Sequence, residues 1–263
     1  MDWFQAVVLA LIQGVCEFLP ISSSGHLILP SALFGWPDQG LAFDVAVHIG
    51  SLSAVVIYFR KDLKDIARGG AQAFKGRKTE SGRLALMLIV ATLPALVAGY
   101  FFEGFIEENF RSAKVIAYAT IVGAFFLAMA DRWNSQSKDV AQMTLWFALA
   151  IGLAQACALI PGTSRSGATI TMALLIGFNR TCAARFSFLM SVPIILASGL
   201  WQSLSLMQAG DVPWGLIGLA TVVSGVSAYL CIHYFLKFIE RIGMMPFVIY
   251  RLLLGACLLV FAV

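Results

Sequence analysis

Ten apolar runs follow one another along the chain, at about 3–19, 25–35, 43–59, 84–102, 115–131, 141–160, 166–177, 185–202, 213–235 and 246–262. They are continuous rather than alternating. That pattern predicts membrane helices and excludes barrel strands, in which lipid-facing and lumen-facing residues alternate. Two pairs of runs are peculiar. Pro20-Ile21-Ser22-Ser23-Ser24 divides the first pair, and Pro161-Gly162-Thr163-Ser164-Arg165 divides runs 141–160 and 166–177. The second member of each pair spans roughly 18 Å as a helix, well short of a hydrocarbon core of about 30 Å. Each pair therefore predicts a re-entrant helix–loop–helix hairpin. Six full spans remain, and the fold class is an all-α polytopic membrane protein.

Composition agrees with the pattern. The 263 residues are 60% hydrophobic and 12% charged, and the mean hydropathy is +0.86. A soluble domain has about a quarter charged residues, so this chain could not cover a water-facing surface. A disordered chain, a cytosolic nucleic-acid binder and a secreted disulfide scaffold are excluded. No stretch is long or polar enough to fold separately, so residues 1–263 read as one membrane domain. Cys16, Cys157, Cys182, Cys231 and Cys257 show no metal or redox spacing and read as small apolar packing residues. The N-terminus has Asp2 and no basic leader, so the first run reads as part of the mature protein.

Charge placement orients the spans. Lys and Arg gather in short cytoplasmic loops. The 60–83 loop carries eight of them, and the six-span arrangement puts 14 of the 18 basic residues inside and two outside. Both termini then lie outside, and the two hairpins enter from opposite faces. A shift of 142 residues aligns Gln13 with Gln155, Ser22 with Ser164, Ser24 with Ser166, Gly25 with Gly167 and Gly35 with Gly177. This predicts an inverted repeat of about 1–131 and 141–263. Such repeats with broken helices place a polar site near the bilayer midplane.

Broken backbone at membrane depth needs protein or a water-filled cavity around it, and ionisable side chains there are functional candidates. Glu17 ends the first run, with Gln13 four residues earlier on the same helix face. Their oxygens suit a hard divalent cation, Mg²⁺ or Ca²⁺; Glu17 could also be a general base or a plain interfacial carboxylate. Ser22, Ser23 and Ser24 are helix caps, or include a nucleophile. His26 is a core residue, or an acid, base or nucleophile in phosphoryl transfer. Arg165 is a cap for loop carbonyls, or a planar fork for phosphate. Gly162, Thr163, Ser164, Ser166 and the start of the helix after them would complete an anion cradle. Asp44 and His48 read as a structural pair at the interface. Arg251 either snorkels to the outer headgroups or balances a buried carboxylate. The 60–83 loop reads as a topology anchor on anionic lipid. No P-loop, H-E-x-x-H or dinucleotide fingerprint is present, which argues against an ATP-driven pump or a zinc protease.

Gln13-x-x-x-Glu17 followed by F-L-P-I-S-S-S-G-H at 18–26 resembles the first motif of the bacterial undecaprenyl-diphosphate phosphatase family, also called the bacitracin-resistance protein family. P-G-T-S-R-S-G-A-T at 161–169 resembles its second motif. F-S-F-L-M-S-V-P at 186–193 and F-V-I-Y-R at 247–251 are similar to further family segments. The resemblance covers nearly the whole chain. It implies an inner-membrane enzyme that hydrolyses undecaprenyl diphosphate to the monophosphate, recycling the lipid carrier for cell-wall synthesis. It also implies divalent-cation dependence and a site open to the periplasm or cell exterior. By position it implies an essential Glu17, a motif His26, a candidate nucleophile Ser23, and a phosphate-binding Arg165 flanked by Ser164 and Thr169. The family takes Glu or Gln at position 13, so metal and base duties shift onto Glu17. The partners implied are a polyprenyl diphosphate lipid and membrane lipids, with no nucleic acid and the oligomeric state open. Two rivals stand beside this reading. One is a lipid transporter or flippase on the same scaffold. The other is a phosphatidic-acid-type phosphatase, which needs a second His after its Ser-Arg pair; none follows Arg165 closely here.

Overall fold

The computed structural model describes residues 1–206 and 213–261. Twelve α-helices fill those residues: α1 (Trp3–Cys16), α2 (Ser23–Leu27), α3 (Leu29–Phe34), α4 (Gly40–Tyr58), α5 (Arg60–Phe74), α6 (Glu80–Asn109), α7 (Ala113–Trp133), α8 (Leu145–Cys157), α9 (Arg165–Ile176), α10 (Arg180–Leu206), α11 (Trp214–Ile242) and α12 (Met245–Phe261). The only extended pairing among the described residues is a single bridge between Lys138 and Phe178.

Five helices are long and apolar enough to cross a membrane, at Gly40–Tyr58, Glu80–Phe102, Ala113–Trp133, Arg180–Gln202 and Trp214–Ile242. Their outer faces carry large apolar side chains such as Leu93, Phe101, Phe125, Val222 and Val226, all exposed. Water would not tolerate a surface of that extent, whereas lipid chains match it. The chain is a multi-pass membrane protein. α12 has 17 residues, at the short end of the range for a span.

Two local expectations change. The run 25–35 is not one helix: it breaks at Ile28 into α2 and α3. Pro30 has no N–H to give to the carbonyl one turn back, so the first helix cannot run on through it. The basic 60–83 segment is largely helical. Leu63 and Ile66 recur at three-residue spacing in α5 and pack on the main core, while the basic residues lie on other faces.

Packing relies on small residues. α4 lies along α11, where a methyl group on Gly50 would stand 2.3 Å from the Thr221 carbonyl oxygen. α6 lies along α8, where one on Gly152 would stand 2.5 Å from that of Ala91. Backbones this close gain dispersion energy that bulkier residues would forbid. α1 packs on α11 as α8 packs on α6, and α7 packs on α12. The largest core cluster joins the second broken pair to α4, α6, α7, α10 and α11, and includes Phe18 at the first break.

Candidate functional site

The two breaks share one backbone solution. Ser22 (φ 73°, ψ 98°) precedes α2, and Ser164 (φ 70°, ψ 115°) precedes α9. Positive φ is unusual for serine, and the side chain compensates locally. The Ser22 hydroxyl accepts from the Gly25 N–H at 3.4 Å, and the Ser164 hydroxyl accepts from the Gly167 N–H at 3.1 Å. Each hydroxyl also meets the serine two residues on, Ser24 at 3.1 Å and Ser166 at 3.3 Å. The glycines that end the second helices, Gly35 and Gly177, are both left-handed. Gln13 and Gln155 are both buried, and in each the side-chain oxygen lacks a hydrogen-bond partner.

The breaks touch each other. The Gly162 N–H donates to the Ser24 hydroxyl at 3.3 Å, and the Ser166 hydroxyl donates to the Leu19 carbonyl at 2.7 Å. Arg165 crosses from the second break to the first. Its Nη2 donates to Glu17 Oε1 at 2.8 Å and to the Glu17 carbonyl at 3.4 Å; its Nη1 donates to the Ser187 carbonyl at 3.1 Å. The guanidinium also lies over the Phe18 ring. The other carboxylate oxygen, Glu17 Oε2, accepts from Gln13 Nε2 at 2.9 Å and from the Ser23 hydroxyl at 3.2 Å. A buried guanidinium–carboxylate pair holds its geometry through such further hydrogen bonds.

This network borders a cavity of about 210 Å³. Glu17, Ser22, Ser23, Ser24, Ser164 and Arg165 line it. Cys16, Ala158, Ile194, Ile195 and Ser198 add a mixed wall. The cavity thus joins a carboxylate, five hydroxyls and a guanidinium fork. That set can bind an oxyanion and take a proton from a nearby nucleophile.

The other expected site residues stand elsewhere. His26 is buried beneath the first break, outside the cavity lining. Its Nδ1 donates to the Ser22 carbonyl at 2.7 Å, which leaves Nε2 as acceptor for the Tyr250 hydroxyl at 2.7 Å. The two rings stack. Thr169 is also buried; its hydroxyl meets that of Ser187 at 2.7 Å and donates to the Arg165 carbonyl. Ser166 is turned to Leu19, and Gly162 and Thr163 offer their carbonyls to Arg251.

His48 is the residue that the sequence pattern misplaced. The Asp44–His48 side-chain pair does not form. Asp44 accepts from Gln39, and the His48 Nδ1 bonds the Asp44 carbonyl at 2.7 Å. The other ring nitrogen points into the cavity, 3.8 Å from Glu17 Oε2. Its i,i+4 spacing to an acid drew attention to the wrong neighbour. The useful signal was a histidine near the middle of an apolar span. Arg251 does not snorkel: it is fully buried, and among the described residues it donates to backbone carbonyls and balances no carboxylate.

The donor set fits a divalent cation. The Gln13 oxygen is buried without a partner while its amide nitrogen faces Glu17. Gln13 and Glu17 each carry an oxygen donor on the same face of the helix end, and they are in contact. Hard oxygen donors are what Mg²⁺ and Ca²⁺ take, so the residues suit such an ion.

Residues 6–257 match the family described as bacitracin resistance protein BacA. The chain is 60% identical over 256 residues to a protein of Saccharophagus degradans named undecaprenyl-diphosphatase, covering 97% of each. It is 58% identical over 262 residues to one of Teredinibacter turnerae with the same name, covering 99% of each. A third of that name, from Hahella chejuensis, is 57% identical over 262 residues, covering 99% of this chain and 98% of its own.

Proposed function

The chain belongs to the bacitracin resistance protein BacA family, and from that premise we propose that the cavity between its two breaks is where a lipid diphosphate loses its terminal phosphate. The activity is that of an undecaprenyl-diphosphatase, hydrolysing undecaprenyl diphosphate to undecaprenyl phosphate and inorganic phosphate. The relatives' names favour hydrolysis over the transporter alternative. The observation that carries the site assignment is the Arg165–Glu17 contact, which brings two charges 148 residues apart into one buried cavity with Ser23.

The chemistry follows from those contacts. Arg165 presents a rigid fork, and an arriving phosphate oxygen takes over the Nη2 contact that Glu17 holds beforehand. Ser22, Ser24 and Ser164 add hydroxyls around the same space. Ser23 already directs its proton at Glu17 Oε2, so Glu17 can accept it as the serine oxygen, or a water in its place, attacks the terminal phosphorus. The bond to the bridging oxygen then breaks, and lipid monophosphate leaves; where Ser23 attacked, a water that gives its proton to Glu17 then hydrolyses the phosphoserine ester, restoring the serine and releasing inorganic phosphate. His48 stands beside Glu17 and can carry the proton onward. His26, held at both nitrogens, serves to shape the first break. Gln13 and Glu17 would hold a divalent cation, which would supply neutralisation of the charge that grows on the leaving oxygen.

We also infer that α12 is the sixth span, and that the two broken pairs are re-entrant hairpins of an inverted repeat. α1, α8 and α9 have 14, 13 and 12 residues, about 18–21 Å each and too short to cross. The matched serines, glutamines and terminal glycines support the repeat. Basic charge in α5 supports a cytoplasmic location for that end of the bundle. Along α10 from Arg180, at the same end, Arg165 meets the Ser187 carbonyl at about 10 Å and Ser198 lies at about 27 Å; a cavity running between these depths supports an opening toward the outer face of a bacterial inner membrane, the periplasm.

The test is phosphate release from undecaprenyl diphosphate by purified protein in detergent, where no second compartment exists for transport. Wild type should turn over, and folded Arg165→Ala and Glu17→Ala should each lose about a hundredfold or more. Near-wild-type turnover in either variant would sink the site assignment.

A further inference from the structure

Arg251 is the largest fully buried side chain, and it sits on α12, outside both breaks. Among the described residues no carboxylate pairs with it. Its Nε donates to the Thr120 carbonyl at 3.1 Å, and its Nη1 to that of Pro20 at 3.3 Å. Its Nη2 reaches the carbonyls of Thr163 at 2.9 Å, Gly162 at 3.2 Å and Ala119 at 3.5 Å. One guanidinium therefore joins the first break through Pro20, the second through Gly162 and Thr163, and the rigid helix α7 through Ala119 and Thr120. Broken backbone inside a membrane leaves carbonyls that need donors, and a five-donor planar fork can serve several at fixed angles.

The other links between the breaks are weaker or temporary. Gly162 to Ser24 and Ser166 to Leu19 are single hydrogen bonds. The Arg165–Glu17 contact must yield when a phosphate occupies Arg165. Arg251's hydrogen bonds, among the described residues, go to backbone carbonyls, which an arriving phosphate would not compete for. We propose that Arg251 is a positioning residue that fixes the first break against the second, so that Ser23 and Arg165 keep their separation while phosphate is bound. The proposal rests on the functional reading above, and it adds a residue that touches no reacting atom.

Arg251→Met and Arg251→Lys test it, with Gly123→Ala as an approach from the other side. A methyl group on Gly123 would stand 2.2 Å from Arg251 Nη2, so that variant displaces the guanidinium while leaving both breaks unaltered in sequence. Turnover of undecaprenyl diphosphate per folded molecule should fall about a hundredfold in Arg251→Met, as reacting groups misplaced by about 1 Å lose that much. KM should stay within about threefold, because Arg165 still binds phosphate. Arg251→Lys, with three donors, should fall between. Gly123→Ala should lower turnover alone and add nothing in the Arg251→Met background. Amide hydrogen exchange over residues 18–27 and 160–168 should quicken in all three variants and stay unchanged in α4 and α11. A merely structural arginine would lower the folded fraction and leave turnover per folded molecule alone. The proposal is overturned by wild-type kcat in Arg251→Met, by a loss confined to KM, by additive effects of Gly123→Ala, or by unchanged exchange at the breaks. If Arg251→Met does not fold, Gly123→Ala and Arg251→Lys decide the matter by the same readouts. A wild type that releases no phosphate would overturn the functional reading instead, and the exchange data would still judge the bridge between the breaks.

Discussion

The break at 20–24 and the break at 161–166 adopt the same backbone and carry different chemistry. Both turn on a serine with positive φ that caps the helix after it, and both end that helix region on a left-handed glycine. Yet the first brings Glu17 and a run of three serines, while the second brings Arg165. The contrast extends to the glutamines. Gln13 reaches Glu17; Gln155, equally buried, reaches only the Ala91 carbonyl at 3.5 Å, because the residue four positions on is Leu159. Two loops of similar local geometry thus differ in the charge that each carries. On the proposed reading the acidic loop would take a proton, and the basic loop would hold an anion.

The strongest challenge to this division is the loss of the fork. Arg165→Ala should cost about 10²–10³-fold in turnover, the loss usual for an electrostatic donor in a shielded site. Arg165→Lys should recover little, since a point charge lacks the fork. Steady-state kinetics of phosphate release checks both. The exchanged protein Glu17→Arg/Arg165→Glu restores a charge pair across the cavity but puts each charge on the wrong loop. It should melt close to wild type by thermal unfolding in detergent and show no turnover; measurable turnover would mean that the loops are interchangeable.

Smaller effects separate the two loops further. Ser23→Ala should lose turnover far beyond its stability cost of about 1–2 kcal/mol, which comes from the lost hydrogen bond to Glu17 rather than from a cap. Ser22→Ala and Ser164→Ala should each cost about 1 kcal/mol of stability, the usual worth of an N-cap. The Ser164 variant should lose more, since its capping bond is shorter, 3.1 Å against 3.4 Å. Equal losses would show that the two caps do not differ. The smallest effect belongs to Tyr250→Phe, which removes one hydrogen bond to His26, worth about 1 kcal/mol, and should leave turnover within a few-fold. A large loss of kcat there would return His26 to the chemistry.

Much of this division is legible in the residues themselves. Ser22 and Ser164 lie within Pro-containing breaks, each three residues before a glycine, and that local pattern is enough to predict both caps. Glu17 and Arg165 stand out as charges between apolar runs. His26 misleads, because a histidine beside three serines looks like their partner, while its ring turns to Tyr250, 224 residues away. His48 and Arg251 were visible as polar residues in spans but not assignable, since their partners are a distant carboxylate and a set of carbonyls that no side-chain pattern marks.

Ten apolar runs, two breaks, the serine caps and the basic end of the bundle are all written in the order of the residues. These features depend on positions a few residues apart, through helix periodicity, prolines and capping hydroxyls. Which polar groups share the cavity is settled only when the helices pack. Glu17 with Arg165, His48 with Glu17, and Arg251 with both breaks are contacts between elements far apart in the chain. They arise from how close small residues such as Gly50 and Gly152 let helices approach, and local periodicity does not encode that distance.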